Sequence, residues 1–303
     1  MIAFVTSFRA RALARDWDYH VWLLERTILS MLAQSRGKCH VLVACHEVPD
    51  IALARDPRVR FLSVKFDPPA RNNDDMCVDK VLKLTAGARW ALAHGFGYVV
   101  FSDADDLVSN RIGGYVDAHR GENGWYSASE MFYSYGGSLL RFFDIPGTSA
   151  GPCVIVRSDL LSFESPPFSG AWTDILVAGG EANYLDLLNR RGETVNVLAA
   201  IGLGHYRRFM ADAGHALKPL PFPANVVINH PDSTSFVAGG IGSYCQAPPR
   251  RSAFREYLSR MKQRASWLPT LRYATPSLRQ EFLIPANHDI PARYRATGSI
   301  FWR

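Results

Sequence analysis

Apolar and polar residues along the first hundred positions alternate between two periods. "IAFVTS" (2–7), "CHVLVAC" (39–45) and "YVVFS" (98–102) are short, nearly continuous apolar runs, and "RVRFLSV" (58–64) alternates strictly, so all four predict strands. Between them, residues 17–34 carry a helical pattern. A second helix is predicted after "NNDD" (72–75), a group of N-capping residues, because Val81, Leu84, Ala88, Ala91 and Leu92 recur at helical spacing and "HGFG" closes the segment. Strands alternating with helices predict an α/β layered fold with a mixed, mostly parallel sheet. The second half is less regular. Residues 124–143 predict two strands around Tyr135-Gly136-Gly137, residues 151–161 a strand feeding a short helix, and residues 181–192 a helix stopped by Gly192 and followed by a strand in "ETVNVL". From residue 243 the pattern thins, predicting a catalytic domain over 1–242 and a basic, partly helical C-terminal appendage over 243–303.

Composition agrees with a folded globular chain: 48% hydrophobic and 20% charged over 303 residues. The five cysteines, Cys39, Cys45, Cys77, Cys153 and Cys245, form no Cys-x-x-Cys pair and are odd in number, which argues against a disulfide framework or a zinc knuckle and fits a cytoplasmic setting. No apolar run approaches the roughly 20 residues of a membrane span. The excess charge of +6 gathers in "PPRRSAFREYLSRMKQR", with Arg250, Arg251, Arg255, Arg260, Lys262 and Arg264. A solvated face is the first reading of that stretch and peripheral contact with an anionic membrane the second; no nucleic-acid motif accompanies it.

The chemistry gathers where the fourth predicted strand ends. "YVVFSDADDL" passes from buried strand to Asp103, Asp105 and Asp106, with Ala104 as the spacer. Strand ends of open α/β sheets are where ligands bind. Clustered carboxylates repel unless donors or a cation offset them, and a hard divalent ion carrying substrate phosphates suits such a cluster, although a turn or helix cap also favours Asp.

"YVVFSDADD" resembles the metal-binding signature of GT-A-fold glycosyltransferases, especially family 2, and "DKVLKLTAGARWALAHGFG" resembles the helix preceding it there. "VVINHPDSTS" (226–235) is similar to the late histidine motif of the same family. The resemblance spans residues 2 to about 235 and implies a GT-A, Rossmann-like α/β/α sandwich with a nucleotide-sugar half (1–110) and an acceptor half (111–242). It implies an enzyme of the hexosyltransferase class that moves a sugar from a nucleotide-diphosphate donor to a saccharide or other hydroxyl acceptor, free or lipid-linked, with Mn²⁺ or Mg²⁺. Asp105 and His230 would hold the cation, with Asp103 sharing it or holding the ribose and His205 the rival imidazole. Thr6, Ser7, Arg9, Arg11 and Ala104 would lie against the nucleotide. Lys80 and Lys83, three apart on one helical face, offer either point charges for a diphosphate or a solvated face.

Two positions depart from the family. Ala182 stands where inverting members place their catalytic Asp, leaving Glu181 and, second, Asp174 as candidate bases. Ala44-Cys45-His46-Glu47 stands where many members carry a base-reading acidic residue, so the nucleotide is not implied. Trp125, Tyr126, Phe132, Tyr133 and Tyr135 offer either sugar platforms or core. Two alternatives stay open: a nucleotidyltransferase, weakened by a first loop without glycine, and a non-catalytic sugar-binding relative.

Overall fold

The computed structural model describes residues 1–71, 73–144, 153–161, 206–230 and 268–295. The four predicted N-terminal strands form one side of a seven-stranded mixed sheet, with the third of them at its edge. β1 (Ile2–Ser7) pairs in parallel with β2 (Cys39–Cys45) on one side and β4 (Tyr98–Phe101) on the other, and β2 pairs in parallel with β3 (Val59–Ser63). These runs are apolar on both faces because both are covered. Ile2, Phe4, Val41 and Val43 pack with Leu24, Ile28 and Met31 of α1 (Trp17–Leu32), whereas Ala3, Val5 and Leu42 pack with Leu84, Ala88 and Ala91 of α2 (Asn73–Ala93). At about 1.5–3 kcal/mol per large apolar side chain buried, this layer dominates the driving force for folding. α2 sits very close: a Cβ on Gly87 would lie 2.4 Å from Val5 Cγ1.

α1 starts where Asp16 accepts the Tyr19 N–H at 2.9 Å and stops at Leu32, two residues before its predicted end. Gln34 leaves the helix to accept from the Gly113 N–H and donate to the Ser109 carbonyl, which joins α1 to α3 (Ile112–Ala118). In α2 the predicted stripe is buried except for Leu92, which is 40% exposed.

The second half differs from the two-strand expectation for 124–143. Three strands occur there, and they divide between two sheets. β6 (Gly124–Tyr126) joins the large sheet through β9 (Val154–Arg157), which runs antiparallel between β4 and β6, and β10 (Lys218–Pro219) forms the edge in the order β10-β6-β9-β4-β1-β2-β3. The predicted turn at Tyr135-Gly136-Gly137 joins β7 (Ser129–Tyr133) to β8 (Leu139–Asp144), with Gly136 at φ 88°. With β5 (Leu107–Val108), β11 (Asn225–Ile228) and β12 (Leu271–Tyr273) they make a second sheet, ordered β12-β8-β7-β11-β5.

The described part of the expected C-terminal appendage is no appendage. β12 pairs with β8, and Phe282, Ile284, Ile290 and Tyr294, following α5 (Pro276–Glu281), share a core with Tyr19, Leu23, Met131, Tyr133, Val226 and Ile228. α4 (Tyr206–Asp212) contributes Tyr206 and Met210 to the α2 side of the large sheet. The helix expected over 181–192, its following strand, and the basic residues 250–264 lie outside the described residues. No described helix is long and apolar enough to cross a membrane.

Candidate functional site

β1 is flanked by β2 on one side and by β4, later in the chain, on the other, so the strand order reverses between β1 and β4. The carboxyl ends of such a strand pair open a crevice. Past the end of β4 the chain crosses from the large sheet to the small one in a turn, Asp103 to Asp106, closed by the Asp106 N–H on the Asp103 carbonyl at 3.4 Å. α1 braces the turn: the Thr27 hydroxyl donates to the Ala104 carbonyl at 3.0 Å, and Ser30 Oγ accepts the Val108 N–H at 3.1 Å.

The three carboxylates leave the turn in three directions, and each finds its own relief. Asp103 receives the Lys80 ammonium at 2.5 Å, both side chains being about a third exposed. Asp105 Oδ2 lies 2.9 Å from His230 Nε2, whose side chain is fully buried. Burial alone would raise the Asp105 pKa, but the His230 hydrogen bond and the charges of His230, His20 and Arg9 outweigh it and bring it down to about 2. Asp106 is buried, accepts the Ile228 N–H through Oδ1 at 3.3 Å, and has no partner on Oδ2. Burial, then the charges of Asp105, Asp103 and Glu130, hold it well above the usual carboxylate range, which favours the protonated acid.

Asp105 and His230 are 125 positions apart, and sheet pairing closes that gap. β5, directly after the acidic turn, pairs antiparallel with β11 through Val226↔Leu107 and Asn225↔Val108, and β11 ends two residues before His230. β7 holds the other edge of β11, and the Asn229 N–H donates to the Tyr133 carbonyl at 2.8 Å. Tyr19 and His20 of α1 pack edge-on to the His230 ring at 5.8 and 5.6 Å.

The donor set fits a cation carried in with phosphates. Adjacent ligands of an octahedral ion at about 2.1 Å stand about 3 Å apart, close to the 2.9 Å between Asp105 Oδ2 and His230 Nε2. Imidazole with carboxylate suits Mn²⁺, and Mg²⁺ takes one or two carboxylates and completes its shell with water and phosphate. Among the described residues no group of three or more His, Cys, Asp or Glu side chains is arranged to hold a metal. The expected trio is therefore split: Asp105 and His230 meet, while Asp103 is engaged by Lys80.

Lys83 also departs from expectation. Its side chain is wholly buried and donates to Asp79 at 2.7 Å and to the Phe8 carbonyl at 2.8 Å, while Asp79 also holds His46 Nε2 at 2.8 Å. It ties α2 to the ends of β1 and β2 and offers no charge to a diphosphate. Thr6 is buried with its hydroxyl unpartnered; Ser7 and Arg9 are half-buried at the crevice end of β1, and Arg11 is exposed, its N–H on the Glu47 carboxylate. Of the aromatic stretch, Trp125, Phe132, Tyr133 and Tyr135 are buried core, and only Tyr126 is half-exposed, with the Arg207 guanidinium 4.0 Å above its ring. Glu181, Ala182, Asp174 and His205 lie outside the described residues.

The sequence reading missed Glu130. It is 7% exposed on β7, where Met131 and Tyr133 turn toward the core shared with α1 and Glu130 takes the opposite face. Burial, then the charge of Asp103, pushes its carboxyl up to about 7. Its signal was a lone carboxylate inside the aromatic strand "SEMFY". No protein-family model matches the sequence, and no curated protein matches it either.

Proposed function

We propose that the protein is a cation-dependent glycosyltransferase of GT-A type, moving a sugar from a nucleoside-diphosphate donor to a hydroxyl acceptor. The observation that carries this reading is the meeting of Asp105 and His230 at the switch point of the sheet, two groups with compatible metal-ligand chemistry. Asp105, ionised far below neutral pH, and His230, held rigid by full burial, would hold the cation. A bound Mn²⁺ or Mg²⁺ supplies positive charge against the diphosphate as it departs. Asp106, the next residue of the turn, fixes β11 by accepting the Ile228 N–H. Deprotonating the acceptor hydroxyl needs a base whose pKa lies near the working pH, and Glu130, its carboxyl pushed up to about 7, meets that condition. Glu181 and Asp174 stay candidates for the same task.

The test is a thermal-shift panel of UDP, GDP, ADP and CDP with and without Mn²⁺. A ligand that binds only the folded state raises its melting temperature, so one nucleotide should do so in the presence of the ion. Asp105→Ala should abolish the shift. An equal shift in that variant, or none with any nucleotide in the wild type, refutes the proposal.

A further inference from the structure

Two lysines one helical turn apart on α2 are used in opposite ways. Lys83 is fully buried and bound on two sides, which fixes the helix against β1. Lys80, 35% exposed, reaches out to Asp103, itself 36% exposed, on the solvent side of the same acidic turn. Ion pairs this open to water are weakly held, so the Lys80–Asp103 pair can give way to another anion at little cost, while Lys83 keeps the helix in place against β1.

The turn also holds hydrogen-bonding capacity that the protein leaves unused. His230, bonded to Asp105 through Nε2, is buried at 3% exposure with Nδ1 unpartnered, and Asp106, the next residue of the turn, is at 2% with Oδ2 unpartnered. Charge bookkeeping then separates two kinds of ligand. Asp103 and Asp105 both contribute negative charge to the turn, and Lys80, bound to Asp103, already offsets part of it. A free divalent ion arriving at Asp105 and His230 meets a neighbouring ammonium and gains only a partly neutralised cluster. An ion arriving with a diphosphate brings its own negative charge, onto which Lys80 can turn.

We infer that Lys80 is a built-in counter-cation that competes with divalent metal for the acidic turn and passes to the diphosphate of the incoming donor, so that the site selects the metal–nucleotide pair over free metal. This inference rests on the proposed function. Lys80 serves as a binding and selectivity residue, and its removal should move two affinities in opposite directions, which a purely structural lysine would not do.

The experiment measures Mn²⁺ alone by electron paramagnetic resonance, and UDP, GDP, ADP and CDP by calorimetry with and without Mn²⁺, on wild type, Lys80→Met and Lys80→Arg. Lys80→Met should bind free Mn²⁺ about two- to fivefold more tightly, the scale of an exposed ion pair. It should bind the preferred nucleotide about ten- to a hundredfold more weakly, the scale of a charged hydrogen bond. Lys80→Arg should keep wild-type Mn²⁺ affinity. Because the Lys80–Asp103 pair is about a third exposed, all three proteins should melt within a few degrees of one another, which separates lost binding from lost fold. Unchanged or weaker Mn²⁺ binding in Lys80→Met, or unchanged nucleotide binding, overturns the inference alone. If the wild type takes up neither Mn²⁺ nor any of the four nucleotides, the proposed function falls and this inference with it.

Discussion

Replacing Lys83 by Met tests whether α2 is locked to the sheet by a buried charge. The ammonium is fully enclosed and serves two acceptors, Asp79 at 2.7 Å and the Phe8 carbonyl at 2.8 Å. Removing it leaves the Asp79 carboxylate, 12% exposed, bonded to His46, and takes the donor from the Phe8 carbonyl. Breaking one side of a buried pair costs about 3–5 kcal/mol, whereas the exposed Lys80–Asp103 pair contributes about 0–1 kcal/mol. At about 2–3 °C per kcal/mol for a chain of this size, Lys83→Met should melt about 6–15 °C below wild type and Lys80→Met within about 3 °C. The Lys83 pKa adds a second constraint. Burial lowers it in spite of Asp79, Cys45 and Glu47, so the pair does not fully offset the cost of enclosing the charge. An apolar replacement of both partners should then be tolerated: Lys83→Met with Asp79→Leu should lose clearly less than the sum of the single losses. Urea and thermal melts of the four proteins decide the matter. A Lys83→Met variant within about 1 kcal/mol of wild type, or strictly additive single losses, would show that the lysine is not the lock described here.

Two further outcomes follow from buried groups near the crevice. The Glu130 carboxyl sits at about 7 against an ordinary 4.5, so between those values the folded protein binds more protons than the unfolded one and stability falls as pH rises, then levels off. The drop amounts to at most about 3 kcal/mol; Glu130→Gln, measured by urea melts in chelator, should match wild type near pH 4 and exceed it at pH 8, and a variant weaker than wild type at pH 8 refutes this. Gly87→Ala places a Cβ 2.4 Å from Val5 Cγ1 and should cost about 1–3 kcal/mol, less the ~1 kcal/mol that alanine gains in a helix; Val5→Ala in the same chain should recover part of the loss, and full additivity would exclude the clash.

The strands β1 to β4 and both long helices were legible because their evidence is local. Ile2 and Phe4 alternate with Ala3 and Val5, and the period states that both faces of β1 need cover. The acidic turn was legible too, since a carboxylate cluster at a strand end is visible in ten residues. Leu92 shows the limit of the same logic: it fits the helical stripe, yet it is 40% exposed while its neighbour Ala91 is buried.

By itself, then, the sequence determined the layered α/β core, its strand ends and the place where charge accumulates, because backbone period and apolar spacing are properties of neighbouring residues. Only the tertiary structure decided that β6 and β7 part into different sheets, that Phe282 and Ile290 enter a core with α1, that Lys83 is a buried tie while Lys80 faces Asp103, and that Asp105 reaches His230. The reason is physical: which faces meet, and which charges lose their water, depends on through-space packing between separate segments of the chain. Local patterning records that a face must be covered and leaves open what covers it.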